Sequence, residues 1–147
     1  MKNLSISDYP ERFRKKPFFE LTVVLLNSVR DHDFEHLASM CDDDYGIIDI
    51  NMDGGSEIIR DRATWENWFQ RLFSQLDSMN AQTWSEITGY ESYMRSDLGY
   101  SVVDFDQMLV VGDKTMRFSV IATIVWKKEA DGWKESRYHS SLVKVAD

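Results

Sequence analysis

The densest set of ionisable side chains lies near the end of the chain, in the segment WKESRYHSSLVKV. Alternation along a β-strand places Trp133, Glu135, Arg137, His139 and Ser141 on one face. Glu, Arg and His side chains beside a Trp could line a polar pocket, in which His139 would act as an acid, a base or a ligand donor. The same pattern also fits a solvated or dimer-facing surface with a Glu–Arg pair. The alternation leaves both interpretations open.

Three further polar features carry weaker signals. His32 and His36 are spaced to share one face of a helical turn, with Asp33 and Glu35 nearby, but two histidines on an exposed short helix are more typical of a surface than of a metal site. Cys41 is the only cysteine, and the aspartates at 42–44 are expected to raise the pKa of its thiol, which disfavours a nucleophilic role. The chain has no Gly-rich phosphate loop and no Ser nucleophile elbow. We therefore predict neither a metal site nor a cofactor.

The composition is that of a globular protein of one domain. The chain has 147 residues, 43% of them apolar and 13% aromatic, and a net charge of −8. The negative charge disfavours nucleic acid and anionic membranes as partners, because both attract clustered Lys and Arg. There is no apolar run of about 18 residues and no apolar signal-peptide core. With a single cysteine, a reducing cytoplasmic location is the expectation.

Helices are predicted in the first half of the chain. The polar residues 1–16 predict a surface loop or a short helix. Residues 18–29 are apolar nearly all round, which predicts a buried helix with Pro17 in its first turn. Asp31 or Asp33 can cap a second, short helix, and Asp61 a third. The third helix is marked by one apolar stripe, which consists of Trp65, Trp68, Phe69, Leu72, Phe73, Leu76 and Met79.

Strands dominate the rest of the chain. The aspartates at 42–44 are expected to break the helical pattern, with short strands predicted at 45–51 and 57–60. Four longer strands follow at 83–93, 97–111, 115–128 and 133–145, and their short connections require antiparallel neighbours. Helices segregated to one face of a curved antiparallel sheet make an α+β domain, and such a sheet tends to leave a cavity at its open end.

Several segments resemble a known superfamily. RDHDFEHLASMCDDDYGIIDIN, TIVWKKEADGWK and the terminal YHSS, taken with the order of elements, resemble the nuclear transport factor 2-like superfamily and, within it, the SnoaL-like group. The resemblance covers roughly residues 15–145. It implies a cystatin-like α+β fold, in which a cone-shaped, curved antiparallel sheet wraps around the N-terminal and middle helices. The superfamily includes isomerases, polyketide cyclases, dehydratases, oxygenase subunits and association modules, so the resemblance does not select one function.

The resemblance also implies site residues. In ketosteroid-isomerase-like members an Asp base follows an acidic pair on the strand after the second helix, and the segment DDYGIID places Asp49 there. The positions of that group's oxyanion donors correspond to Leu25 and Ala122, which cannot donate, so steroid-type isomerisation is disfavoured. Alternation gives a competing interpretation, in which Asp49 faces solvent beside Asn51. His139 matches a His that SnoaL-like members often carry in an HxS-like position.

Three functions are compatible with these observations. The first is binding of a small hydrophobic or cyclic molecule between sheet and helices. The second is cofactor-independent isomerase, cyclase or dehydratase activity, with Asp49 or His139 as the catalytic acid–base group. The third is a homodimeric association module with a vestigial pocket. We predict that the ligand-binding residues are Tyr45, Trp65, Phe69, Trp126 and Arg137.

The predicted organisation is one SnoaL-like domain over residues 1–147, with 1–16 as a polar extension. A four-stranded meander covered on one side leaves its other face exposed, and apolar side chains there would need a partner. The expected partners are therefore a small-molecule ligand and a second copy of the chain bound through the sheet.

Overall fold

The computed structural model describes residues 4–51 and 53–146. A 3₁₀ turn at Ile6–Asp8 precedes four helices: α1 (Glu11–Arg14), α2 (Phe19–Arg30), α3 (Phe34–Ser39) and α4 (Arg62–Ser78). Six strands complete the fold: β1 (Cys41–Ile50), β2 (Ser56–Ile59), β3 (Gln82–Met94), β4 (Leu98–Val111), β5 (Lys114–Glu129) and β6 (Gly132–Ala146).

The strands form one curved, unclosed sheet in the order β2-β1-β6-β5-β4-β3. All neighbouring strands are antiparallel except β1 and β6, which run parallel. The α+β prediction is confirmed, and the four long strands lie within a few residues of their predicted bounds. The parallel β1–β6 pair was not predicted, because only the consecutive strands have connections short enough to fix their direction.

Helices α2 and α4 cover the inner face of the sheet, where they contact β3 and β1 respectively. The N-terminal caps of α3 and α4 follow the sequence: the Asp33 side chain accepts from the backbone N–H of His36, and that of Asp61 accepts from the backbone N–H of Thr64. Among the described residues, every helix is too short or too polar to cross a lipid bilayer.

The start of α2 differs from the prediction. Pro17 lies before the helix rather than in its first turn, and Phe18 is the N-cap with a left-handed backbone (φ 65°). That conformation turns the Phe18 ring onto Trp126, with 5.7 Å between ring centroids, and edge-on to Trp133 at 4.9 Å. A Cβ atom at Gly99 would lie 2.5 Å from the Phe18 ring, so the strand can pass under this ring only without a side chain there.

The start of β1 also differs. The aspartates at 42–44 were expected to interrupt regular structure, but β1 begins at Cys41 and runs through them. The pairing with β6 is irregular here, since Cys41 is opposite Glu135 and the next paired residue, Gly46, is opposite Arg137. The residues between 41 and 46 therefore bulge from the sheet. This arrangement buries Asp42 and leaves Asp43 and Asp44 exposed.

Candidate functional site

A large cavity lies between the helices and the inner face of the sheet. Its volume is about 560 Å³, and most of its lining is apolar. We call it the central cavity, and representative lining residues from α2, α4, β4, β5 and β6 are Leu26, Trp68, Leu72, Phe105, Val120 and Leu142. Helix α2 contacts β3 and α4 contacts β1, and residues of both helices line the cavity between these contacts.

Three carboxyl residues line the cavity: Asp53, which is exposed, and Asp49 and Glu135, which lie deeper. Asp49 comes from β1 and Glu135 from β6, two strands that are neighbours in the sheet. Glu135 has only 1% of its surface exposed. Neither residue forms an ion pair of 4.0 Å or less with a Lys, Arg or His of the described residues. Asp49 and Glu135 therefore lie in the cavity without a neutralising cation among the described residues.

Burial is the largest influence on the pKa of Glu135. It raises the pKa of this carboxyl from 4.5 to about 8, and the nearby acids Asp49 and Asp42 raise it further. Hydrogen bonds from the Tyr45 hydroxyl and the Cys41 thiol act in the opposite direction; the distance from Cys41 Sγ to Glu135 Oε1 is 3.5 Å. At neutral pH most Glu135 side chains are therefore protonated and uncharged.

Asp49 is held by its own neighbours on β1 and β6. The Ser140 hydroxyl and the backbone N–H of Ile50 each donate to Asp49 Oδ1, at 2.8 Å. Burial raises the pKa of Asp49, and these two hydrogen bonds oppose that rise. No described residue donates to the other oxygen, Oδ2. Asp49 thus has a fixed orientation and a spare acceptor atom in a residue that lines the cavity.

Two tyrosines lie beside these carboxyl groups. Tyr45 lies beside Glu135, and Tyr138 beside Asp49 and Glu135. Burial raises the pKa of both phenols well above 10, and the neighbouring carboxyls raise both further. Both hydroxyls therefore keep their protons at any physiological pH.

Four of the residues predicted from the sequence meet in the central cavity: Tyr45, Asp49, Trp65 and Phe69 all line it. The solvent-facing interpretation of Asp49 is wrong, because the Ile47–Asp49 face of β1 is the inner one. Trp65 has no exposed surface, and its indole N–H finds no acceptor among the described residues. Its ring packs edge-on to Tyr45, with 5.0 Å between centroids.

Three other predicted residues lie elsewhere. Trp126 is buried outside the cavity, where its indole N–H donates to the Ser101 hydroxyl at 2.7 Å. Arg137 and His139 are exposed on the outer face of the sheet, and Arg137 donates to the backbone carbonyl and the carboxylate of Asp44. The placement of these three residues in the pocket was wrong.

The cause of the error on β6 is a β-bulge. Glu135 is opposite Trp126, whereas the next pair on the same strands is Arg137 with Val125, so Ser136 is an extra residue. An extra residue reverses the alternation. Glu135 therefore faces inward together with Tyr138 and not with His139. Regular alternation predicts Glu135 on the same face as His139, so the proximity of Glu135 to Asp49 was not predicted.

The other polar side chains that could do chemistry have structural partners. His32 Nδ1 lies 2.6 Å from Asp77 Oδ1, and His36 Nδ1 lies 2.7 Å from the Ser28 hydroxyl. Burial raises the pKa of the Cys41 thiol beyond its usual range, and the Glu135 charge adds to this, in the direction predicted. Within residues 4–51 and 53–146, no three His, Cys, Asp or Glu side chains are grouped to hold a metal ion.

A sequence model of the SnoaL-like domain family matches residues 20–145 of this chain. The chain belongs to the SnoaL-like domain family. No curated protein sequence matches it. For this SnoaL-like chain the positions of the isomerase oxyanion donors are apolar in the structure, since Leu25 lines the cavity and Ala122 is buried in the core.

Solved structures with the same fold carry different functions. The β subunit of benzoate 1,2-dioxygenase from Burkholderia mallei has a TM-score of 0.74 and 12% identity, covering 97% of this SnoaL-like chain and 93% of its own. A protein assigned as a dehydratase of the nuclear transport factor 2-like family, from Streptomyces avermitilis, has a TM-score of 0.71 and 17% identity, with 84% and 91% covered. The hub homology domain of calcium/calmodulin-dependent kinase II from the alga Chlamydomonas reinhardtii has a TM-score of 0.65 and 17% identity, with 84% and 93% covered.

Proposed function

We propose that this SnoaL-like domain binds a small, largely apolar cyclic molecule in the central cavity. The observation that carries the proposal is the cavity of about 560 Å³, which lies within the range of roughly 300–1,000 Å³ typical of small-molecule sites. An association module with a vestigial pocket would instead have this space filled by side chains. Tyr45, Trp65 and Phe69 supply the flat aromatic surfaces against which a ring would pack.

A neutral fluorescent probe tests this proposal. N-phenyl-1-naphthylamine fluoresces strongly in apolar surroundings, and we expect its emission to rise when it is added to the wild-type protein. Leu109→Trp should abolish the rise, because Leu109 lines the cavity and an indole there would occupy its volume.

The matched control is Val110→Trp. Val110 is the next residue of β4 and does not line the cavity, so this variant should bind the probe like the wild type. Equal loss of binding in both variants would mean that the probe reports general destabilisation. Equal retention would place the probe outside the central cavity and would reject the proposal.

A second candidate function is acid–base catalysis on the bound molecule. It is favoured by the carboxyl pair, because two acids with raised pKa values in one pocket suit proton transfer between two atoms of a ligand. Asp49, with a free Oδ2 atom, would take a proton from carbon. Glu135, protonated at neutral pH, would donate to a developing oxyanion.

Exchange of the α-protons of 1-tetralone in deuterated water, followed by NMR, tests the catalytic candidate. We expect wild-type protein to accelerate the exchange and Asp49→Asn to reduce the rate by about 100-fold or more. His139→Gln should leave the rate unchanged, because His139 lies on the outer face. A rate that is insensitive to Asp49→Asn would remove Asp49 from this role and leave the binding function standing.

The organisation of the molecule forms part of the proposal. We propose that residues 1–147 form one domain that acts as a homodimer through the outer face of the sheet, in a reducing, cytoplasmic setting. The similarity to a dioxygenase subunit and to a kinase hub domain supports assembly with other chains.

A further inference from the structure

The ionisable side chains that line the central cavity all have one sign. They are Asp49, Asp53 and Glu135, together with the tyrosines, and no described lining residue is a Lys, Arg or His. An anionic ligand would meet two or three acids and no compensating charge, which is unfavourable in a low-dielectric site. The charge of the lining alone therefore disfavours ligands that carry a carboxylate or phosphate group.

The nearest cationic groups are already engaged outside the cavity. Arg62 donates to the backbone carbonyls of Ala38, Cys41 and Asp42 and pairs with Glu66. Lys127 approaches the buried Asp42 at 3.5 Å. Arg137 is held by Asp44 on the outer face. No basic side chain that the structure describes contacts Asp49 or Glu135.

The carboxyl groups retain capacity for a ligand. Both hydrogen bonds to Asp49 end on Oδ1, so Oδ2 is an unsatisfied acceptor in a residue that lines the cavity. Glu135 accepts from the Tyr45 hydroxyl and, at a long 3.5 Å, from the Cys41 thiol, which is a weak donor. The free Oδ2 atom of Asp49 would be satisfied by a donor or a positive charge on the ligand.

The walls next to these carboxyls are aromatic. Tyr45 and Tyr138 lie beside them, and Trp65, Trp68 and Phe69 line the same cavity from α4. The negative face of an aromatic ring attracts a cation within about 6 Å of its centre, and this attraction grows when water is excluded. Rings and carboxylates together form the usual environment of a bound alkylammonium group.

We infer that the natural ligand of the central cavity is a cation, with an ammonium or quaternary ammonium group on a cyclic apolar body, and that this group sits against Asp49 and Glu135. The inference rests on the proposed binding function and narrows its ligand class. The apolar lining takes the ring, and the carboxyl pair takes the charge.

Protonation supports this assignment. Without a ligand, burial keeps Glu135 largely neutral below about pH 8, so a proton occupies the place that a cation would take. A bound cation favours the charged carboxylate, so cation binding should release a proton and should strengthen as the pH rises. The groups that influence Glu135 are, from β1, Cys41, Asp42, Tyr45 and Asp49, and, from β6, Tyr138; Arg62 on α4 acts on the adjacent Cys41.

The experiment compares two probes of the same shape. Phenyltrimethylammonium and tert-butylbenzene differ only in a charged nitrogen in place of a carbon. Each is titrated against the full-length protein carrying N-phenyl-1-naphthylamine, and displacement is followed by fluorescence at about pH 6 and about pH 9. We expect the cation to displace the reporter about tenfold more strongly than the hydrocarbon at the higher pH. This advantage should shrink at the lower pH, because protons then compete for Glu135.

Three variants test where the cationic group of the ligand binds. Asp49→Asn and Glu135→Gln should each reduce the affinity for phenyltrimethylammonium and leave that for tert-butylbenzene unchanged, which also shows that the variants fold. Asp104→Asn, on an exposed strand position outside the cavity, should alter neither.

The outcomes separate the two proposals. If the hydrocarbon displaces the reporter as well as or better than the cation at both pH values, the cationic ligand class is overturned and the binding function stands. If the reporter does not bind wild-type protein, the binding function itself fails. A cation preference that survives both cavity variants would also overturn the assignment to Asp49 and Glu135.

Discussion

Glu135 is the residue whose chemistry depends most on its place in the fold. On a free strand it would be an ordinary surface acid. In the cavity it is almost fully buried, and its hydrogen-bond partners Tyr45 and Cys41 only partly offset the loss of water. A residue of this kind costs stability at neutral pH, so its presence in an apolar lining points to a role in the site rather than in packing.

The raised pKa of Glu135 predicts a specific pH dependence of stability. The folded protein holds the proton up to about pH 8, whereas the unfolded chain releases it near 4.5. The folded state therefore binds more protons between these values, and Glu135 makes the free energy of unfolding fall as the pH rises from about 4.5 to about 8. Glu135→Gln should remove this fall and stabilise the protein above pH 8 by on the order of 5 kcal/mol relative to its effect at pH 4.

Urea unfolding of both proteins across this pH range measures the difference. Glu91→Gln provides the control, because Glu91 is an exposed strand residue and its loss should leave the pH profile unchanged. Parallel profiles for the wild type and Glu135→Gln would mean that Glu135 is solvated in the folded state, contrary to its burial.

At the scale of elements, helices and strands could be predicted because each carries a local signal. A few consecutive residues are enough to recognise each of these signals: the apolar stripe on α4, the caps Asp33 and Asp61, and the turn at Asp131–Gly132. These signals are sufficient to define the order of elements and the antiparallel meander. They do not define which side of β6 faces inward, because that depends on the pairing of β6 with β5.

The bulge at Ser136 shows why half of the site was missed. No feature of the segment KESRYHS marks one residue as extra, since a bulge forms where the curvature of the sheet requires it. After the bulge, Tyr138, Ser140 and Leu142 face inward together. Arg137 and His139, which were predicted to share a face with Glu135, therefore lie on the outer face while Glu135 lies on the inner one.

The irregular start of β1 has a related consequence. Between Cys41 and Gly46 the strand leaves its register with β6, and this brings the Tyr45 ring to the inner face beside Glu135. Bulges on both neighbouring strands thus lie at the same level of the sheet. The polar end of the cavity is built where the regular ladder is interrupted, which period-based sequence analysis cannot anticipate.

The outer face of the sheet is the surface through which the whole molecule is proposed to dimerise. Helices cover the inner face, whereas Tyr93, Tyr100 and Ile121 lie exposed on the long strands of the outer face, with 45%, 44% and 37% of their surfaces accessible. Charged side chains around them pair within the chain: Arg117 lies 4.0 Å from Asp106, and Arg137 lies 3.2 Å from Asp44. A two-fold axis through the sheet would bring the exposed apolar side chains of the two copies together.

The proposed homodimer is tested by one substitution at the centre of this face. Ile121 lies opposite Asp104 on β4 and Ser141 on β6, so Ile121→Asp puts a second carboxylate beside Asp104 and, in the dimer, against its counterpart. We expect wild-type protein to sediment as a dimer and Ile121→Asp to raise the dissociation constant by about 100-fold, since a charge buried at an interface centre loses solvation without gaining a partner.

Met79→Asp is the matched control, because Met79 is equally exposed, at 38%, but lies at the end of α4, away from the sheet strands. Sedimentation velocity on the three proteins decides the matter. A monomeric wild type would reject the dimer, a dimer weakened equally by both variants would move the interface away from the outer face, and a dimer lost only in Ile121→Asp would place the two cavities on opposite sides of a shared sheet interface, each open to its own ligand.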